Sequence, residues 1–148
     1  MCLEHIFTDQ RVIDSFLRAL AQTTDGWYLT WKVFTKRWDR LYSVFYNESD
    51  GFDEEQEYTA NDTDIDLYPT VKDENGHTVY YASGFHSFAY EQDARRFADD
   101  MCTPSYSIQQ VLVFGVKAVG IQQGLLTLVT EKFKIQKCND AYYRKLSF

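Results

Sequence analysis

The fold is decided by two apolar runs and the short segment that joins them: Ser107–Val119 (SIQQVLVFGVKAV), Gly120–Gly124 (GIQQG) and Leu125–Ile135 (LLTLVTEKFKI). Both runs are rich in β-branched residues, which favour strands, and Gly115 interrupts the first run. The glycine-bounded connection is too short for a parallel crossover, which takes a dozen or more residues. The two runs are therefore predicted to be buried antiparallel strands.

The segments upstream of this pair include two helical patterns. Residues 90–101 (YEQDARRFADDM) predict a short helix that ends before Pro104. Residues 9–22 (DQRVIDSFLRALAQ) predict an amphipathic N-terminal helix. The apolar positions at helical spacing are Val12, Ile13, Phe16, Leu17 and Leu20 in the N-terminal helix, and Ala94, Phe97, Ala98 and Met101 in the central one.

Two hairpins complete the predicted sheet. Residues 27–46 are rich in aromatic and β-branched residues, with the charged residues 35–40 (TKRWDR) as the predicted connection. Asn75-Gly76 is a strong turn signal within residues 67–82 and predicts a second hairpin. Since short loops join neighbouring strands, the pairing is predicted to be antiparallel. The sequence thus predicts an α+β fold with a mainly antiparallel sheet, an N-terminal helix and one short central helix.

The composition is that of one folded domain spanning residues 1–148. Hydrophobic residues make up 45 % of the chain and charged residues 25 %, which excludes wholesale disorder. No apolar run approaches the roughly 18 residues of a membrane span, and the N-terminus lacks the apolar region of a secretory signal. Cys2, Cys102 and Cys138 are predicted to be free thiols in a reducing compartment. We therefore expect a cytoplasmic protein, in the cytosol of a host cell, without membrane contact.

The negative charge of the chain is concentrated in one segment. The net charge is −7; nine acidic residues lie from Glu48 to Asp66, and no Lys or Arg lies between Arg40 and Lys72. Because such a block repels itself, residues 47–66 are predicted to form a solvated loop or excursion. This segment is either a solubilising insertion or a recognition surface for a basic partner. The residues predicted to bind such a partner are Asp53, Glu54, Glu55, Glu57, Asp62, Asp64 and Asp66.

Sequence motifs for catalysis are missing. The chain has no GxSxG, P-loop, GxGxxG or HExxH motif, and Leu67 stands where a calcium loop over the preceding acidic residues would require Gly. We therefore predict no metal, no cofactor and, in the leading interpretation, no catalytic residue. Direct nucleic-acid binding is disfavoured, since phosphate contacts need Lys and Arg. His86 is predicted to be a semi-buried structural histidine, with a ligand-contacting or acid–base role as the alternative.

Two resemblances add to these patterns. The first rests on Trp31-Lys32, Gly84-Phe-His-Ser-Phe88, a helix with Asp93-Ala94, the run Val111–Gly120 and Thr130-Glu-Lys-Phe-Lys-Ile135. In this arrangement the chain resembles a group of small phage and mobile-element proteins that share a GFH element, a short helix and two closing strands. The resemblance spans residues 27–135 and implies an origin in a phage or mobile element rather than an activity.

The second resemblance concerns the middle of the chain. Tyr80-Tyr-Ala-Ser-Gly-Phe-His-Ser-Phe88, followed by Asp93-Ala-Arg-Arg-Phe-Ala98, is similar to the middle motif of ADP-ribosyltransferase-like folds. This resemblance implies a small-ligand pocket near His86, with Tyr80 or Tyr81 stacking on a base. It also implies that Glu131 matches a catalytic glutamate, so that His86 and Glu131 are the catalytic residues of this alternative.

The leading hypothesis is a non-enzymatic accessory protein of a phage or mobile element that binds and inhibits a host protein. The acidic residues would imitate phosphate charge toward a basic, nucleic-acid-binding surface, and an anti-defence protein of the anti-CRISPR kind is one instance. The alternative is a small nucleotide-binding (sponge) or ADP-ribosyltransferase-like domain. A structural component whose acidic loop only keeps it soluble is the third hypothesis. The aromatic content of 17 % is compatible with a homodimer.

Overall fold

The computed structural model describes residues 3–38, 40–43, 51–60, 65–66, 71–82, 84–100 and 106–136. In chain order its elements are β1 (His5–Ile6), α1 (Gln10–Arg18), β2 (Tyr28–Arg37), β3 (Arg40–Ser43), β4 (Glu57–Thr59), β5 (Ile65–Asp66), β6 (Tyr81–Ala82), β7 (Phe85–Phe88), α2 (Glu91–Asp100), β8 (Tyr106–Gln122) and β9 (Leu125–Ile135). The named strands pair antiparallel, with one helix near the N-terminus and one in the middle of the chain. The predicted α+β class is therefore confirmed in its broad form, although strands dominate.

The hairpin of β8 and β9 is the longest element of the sheet. The two strands pair from one end of β9 to the other, and a bulge after Val116 disrupts the ladder locally. The chain reverses at Gln123 and Gly124, whose φ angles of 51° and 79° are those of a tight hairpin turn. The predicted antiparallel pair is confirmed, and its connection is shorter than residues 120–124.

Four strands of the sheet close into a ring. β8 pairs with both β2 and β9, and β9 pairs with β7 along the edge opposite β8. The ring closes where β7 meets β2, at the single register pair Trp31↔Phe88. Further strands extend the ring: β1 pairs with β8, β3 with β2, and β4 with β9, whereas β5 and β6 form a separate small sheet.

The apolar core joins the ring strands to both helices. Phe34, Val113 and Phe133 are fully buried and connect β2, β8 and β9. The predicted faces of both helices make core contacts: Ile13, Phe16, Leu17 and Leu20 of α1 and the following turn pack against this cluster, and Ala94, Phe97 and Ala98 of α2 pack with Val33, Phe88 and Leu125.

The two predicted hairpins differ in their outcome. The first hairpin is confirmed by the antiparallel pairing of β2 with β3, but its connection is shorter than the predicted residues 35–40, because β2 continues to Arg37 and β3 begins at Arg40. Backbone pairing includes the charged residues Lys36, Arg37 and Arg40, whose side chains are exposed to solvent. The turn at Asn75-Gly76 is confirmed: Gly76 has a φ of 80°, and its N–H donates to the Asp73 carbonyl at 3.1 Å.

Some predicted features cannot be placed in this fold. The three cysteines, residues 44–46, residues 67–70 and the helix end from Met101 to Pro104 lie outside the described residues. Within the described ranges, neither helix is long and apolar enough to span a membrane.

Candidate binding surface

The acidic segment, which we define as residues 51–60, is attached to the sheet through its backbone. β4 pairs with β9, and the N–H of Ala60 donates to the Glu131 carbonyl at 2.7 Å. At the other end the N–H of Phe52 donates to the Leu41 carbonyl at 2.7 Å, and that of Glu55 to the Ile135 carbonyl at 2.9 Å. The acidic segment is therefore held against two strands of the sheet, β3 and β9.

Two aromatic side chains anchor the acidic segment in the core. Phe52 is buried, and its ring centroid lies 4.8 Å from that of Tyr58 and 5.1 Å from that of Phe133. Tyr58 stacks on Phe133 with a centroid distance of 5.3 Å, and its hydroxyl accepts a hydrogen bond from the N–H of Asp53 at 2.6 Å. Burial of the Phe52 ring and partial burial of the Tyr58 ring hold the segment against β9.

The carboxylates of the acidic segment point to solvent. Asp53, Glu54, Glu55 and Glu57 are all exposed. Asp53 pairs with Arg40 at 3.3 Å and Glu57 pairs with Lys132 at 3.3 Å, and such exposed pairs contribute little stability. Within the described part of the chain, Glu54 and Glu55 form no ion pair. The surface thus carries four carboxylates against two cations and is locally negative.

The other predicted acidic residues lie further along the chain. Asp66 belongs to β5, where its backbone pairs with Tyr81 of β6. Asp62 and Asp64 lie outside the described residues. The surface that the structure describes is therefore formed by the first four acidic residues of the predicted set alone.

The residues of the predicted ligand pocket take different positions. Tyr81 is buried, and its hydroxyl accepts a hydrogen bond from the N–H of Leu3 at 2.9 Å and lies 3.5 Å from His86 Nε2. Tyr80 is 57 % exposed. The structure brings Tyr81 and His86 together, whereas Tyr80 faces solvent.

Glu131 lies on β9 and covers a glycine. It lies next to Gly115 of β8, between the register pairs Phe114↔Lys132 and Val116↔Thr130, and Gly115 has a φ of 73°. A Cβ atom added to Gly115 would lie 2.9 Å from the Glu131 Oε2 atom, so the carboxylate occupies the space that a side chain would need. His86 pairs with Val129, two residues away from Glu131 along β9.

Sequence reasoning missed a buried polar seam between β2 and β7. The Nζ atom of Lys32 donates to the His86 carbonyl at 2.7 Å and lies 5.6 Å from the centroid of the Phe133 ring. The Thr30 hydroxyl donates to the Ser87 hydroxyl at 2.9 Å. The signal in the sequence is the placement of Thr30 and Lys32 at alternate positions of a predicted strand, which puts both on one face.

The described residues offer no metal centre: no group of three or more His, Cys, Asp or Glu side chains is arranged to hold an ion within the ranges given above. No protein-family model, no curated protein and no solved structure gives a significant match to the chain. What the chain does must therefore be argued from its own surface.

Proposed function

We propose that this protein is a non-enzymatic accessory protein that binds a host protein through the acidic segment and inhibits it. The partner presents a basic surface that normally contacts nucleic acid. The carboxylates of Asp53, Glu54, Glu55 and Glu57 take the place of the phosphates. A phage or mobile element is the proposed origin, the host cytosol the proposed location, and interference with a defence system the proposed role.

The observation that carries this proposal is the anchoring of the acidic segment. A solubilising insertion needs only charge and solvent, whereas recognition needs charges at fixed positions. Here Phe52 and Tyr58 pack against Phe133, and β4 pairs with β9, so the exposed carboxylates are carried on an ordered scaffold. This arrangement supports recognition rather than solubility alone.

The first experiment tests capture and inhibition together. The tagged protein is mixed with bacterial lysate at about 0.05 M and about 0.5 M salt, because screening weakens exposed charge pairs as ionic strength rises. We expect a nucleic-acid-binding protein to be captured at low salt and released at high salt. When purified, that protein should lose its affinity for DNA or RNA in a gel-shift assay as this protein is added.

Charge-neutral variants identify the responsible surface. The variant Asp53→Asn, Glu54→Gln, Glu55→Gln, Glu57→Gln should bind the captured protein about tenfold or more weakly at low salt, a loss of about 1.4 kcal/mol or more.

A matched control changes the net charge by the same amount elsewhere: Glu4→Gln, Asp14→Asn, Asp93→Asn, Asp99→Asn. This control should bind like the unmodified protein. Equal binding by the acidic-segment variant, or a captured protein that keeps its nucleic acid, contradicts the proposal.

A further inference from the structure

The tip of the β2–β3 hairpin, which we define as residues 35–40, is basic and exposed. It contains three cations and one acidic residue, and the side chains of Lys36, Arg37 and Arg40 are all exposed to solvent. Arg40 pairs with Asp53 at 3.3 Å. The guanidinium group of Arg37 lies 5.5 Å from the centroid of an aromatic ring on β3, a contact that leaves its charge uncompensated. Within the described part of the chain, Lys36 and Arg37 form no ion pair.

A tryptophan stands among these cations without a contact to the core. The side chain of Trp38 is 95 % exposed, although burial of a large aromatic ring is among the larger favourable terms available to a protein. Its φ angle is 57°, in the left-handed region where Gly, Asn and Asp are favoured and a bulky side chain is an outlier. Neither packing nor turn geometry accounts for tryptophan at this position, whereas a contact outside the chain would.

The acidic segment packs against the same hairpin. Leu41 of β3 forms a bridge with Phe52, and the N–H of Phe52 donates to the Leu41 carbonyl at 2.7 Å. The segment contains four acidic residues and no cation, and Glu54 and Glu55 form no ion pair within the described ranges. One side of the molecule therefore carries two neighbouring patches of opposite charge, and each patch has two charges that are not compensated within the chain.

Neighbouring patches of opposite charge make this surface complementary to itself. A two-fold axis between the patches sets the hairpin tip of each copy against the acidic segment of the other, so that one isologous contact pairs both patches at once. We propose that this surface binds a second copy of the chain, with the unpaired cations of each tip facing the unpaired carboxylates of the other copy and Trp38 buried in the contact. Tryptophan is enriched among the residues that contribute most of the binding energy at such interfaces. The inference goes beyond the proposed function, because it involves no host protein.

The same two patches favour a second copy over nucleic acid. A phosphate backbone that approaches the hairpin tip also approaches the four carboxylates of the acidic segment, which repel it. A second copy presents carboxylates to the tip and cations to the acidic segment. Every approach of like charges is then replaced by an approach of opposite charges.

The oligomeric state tests the proposal directly. At about 100 µM protein with a reductant, sedimentation velocity should show a dimer at about 0.05 M salt, with a dissociation constant at least about tenfold higher at about 0.5 M. Trp38→Gly should raise the dissociation constant of the dimer about tenfold or more at either salt concentration. Its melting temperature should stay unchanged or rise, because Gly suits a positive φ. The control Tyr90→Ala removes another exposed aromatic ring and should leave the dimer unchanged.

Charge reversal gives the sharpest comparison. Lys36→Glu with Arg37→Glu makes the unpaired charges of both patches negative, and Glu54→Lys with Glu55→Lys makes them positive. Each variant alone should be monomeric and should melt like the unmodified protein, since the changed side chains are exposed. An equimolar mixture of the two should form a heterodimer, because each negative patch then meets a positive one.

Two outcomes would overturn the dimer. One is a mixture of the charge-reversed variants that stays monomeric while the unmodified protein is also monomeric at low salt. The other is an unmodified protein that stays monomeric at low salt while oligothymidylate quenches the emission of Trp38, which would assign the hairpin tip to nucleic acid.

The variant Lys36→Glu, Arg37→Glu also separates this inference from the proposed function. It keeps all four carboxylates of the acidic segment and, as a monomer, leaves them uncovered. It should therefore capture the host protein at least as tightly as the unmodified chain. A dimer without any captured protein would contradict the proposed function alone, whereas capture by a chain that is monomeric at low salt would contradict the dimer alone.

Discussion

At the scale of single residues, the ring depends on polar side chains that cross the seam between β2 and β7. The backbone contributes one register pair there, Trp31↔Phe88. The hydroxyl pair Thr30–Ser87 and the bond from Lys32 to the His86 carbonyl lie on either side of it along β2. Thr30 and Ser87 are both almost completely buried, so each hydroxyl depends on the other for its hydrogen bond.

A double-mutant cycle on this pair tests the seam. Thr30→Val and Ser87→Ala should each lower the free energy of unfolding by about 1–3 kcal/mol, because each leaves a buried hydroxyl without its partner. The double variant should lose less than the sum of the two, by about 1 kcal/mol, since no orphan hydroxyl remains. Denaturant titration gives all three values, and strict additivity would show that the two hydroxyls do not depend on each other.

At the scale of elements, the turn over residues 73–77 is stabilised by the carboxylate of Asp73. Asp73 accepts hydrogen bonds from the N–H groups of His77 and Asn75, each at 2.9 Å. The bond from His77 is the largest of the effects that lower the pKa of Asp73 below its ordinary value. A depressed folded-state pKa means that the carboxylate stabilises the turn above the pKa of the unfolded chain, about 3.9.

This linkage predicts a pH dependence. The stability that Asp73 contributes should be fully present above about pH 4 and lost as the pH falls through its folded pKa. Melting temperatures from pH 7 to pH 2 should show the unmodified protein above Asp73→Asn at neutral pH, with the gap closing in acid. A gap that persists unchanged at pH 2 would mean that the charge of Asp73 has no part in the turn.

A comparison of β9 with β4 shows which sequence patterns are enough to predict a strand. The bounds of β9 coincide with those of the apolar run 125–135, which begins directly after the turn at Gly124. The sequence does not predict β4, because the high charge around it indicates a solvated loop. The signal in the sequence is the pair Phe52 and Tyr58, since aromatic residues inside an acidic block favour packing against an apolar core. Charge alone located the candidate surface, and these two rings give it a fixed position.

At the scale of the whole molecule, local sequence patterns do not predict that the four strands close into a ring. Trp31 and Phe88 lie far apart in the chain, and the strands that carry them are connected through β8, which pairs with β2, and β9, which pairs with β7. Trp38 was likewise part of a predicted charged connection, and its exposure is visible only after the hairpin has formed. Local periodicity predicts the strands, whereas the pairing of strands that are distant in the chain determines which side chains are exposed.

The attachment of the acidic segment to the folded body leads to a prediction for hydrogen exchange. The amides of Phe52, Glu55 and Ala60 donate to carbonyls of β3 and β9, so they should exchange only when the segment detaches. We expect exchange at least about tenfold slower than in an unfolded peptide, with the slowest amides of all in the β8–β9 hairpin. NMR-detected exchange at neutral pH measures each of these amides.

The same exchange measurement on the charge-neutral variant of the acidic segment tests whether the carboxylates act in recognition or in holding the segment in place. Because Phe52 and Tyr58 hold the segment and the exposed ion pairs add little, protection should survive removal of the four charges. Loss of partner binding with intact protection would assign recognition to the carboxylates themselves. Exchange at the unfolded rate in the unmodified protein would instead mean that the segment is a solvated excursion, and the solubilising interpretation would replace recognition.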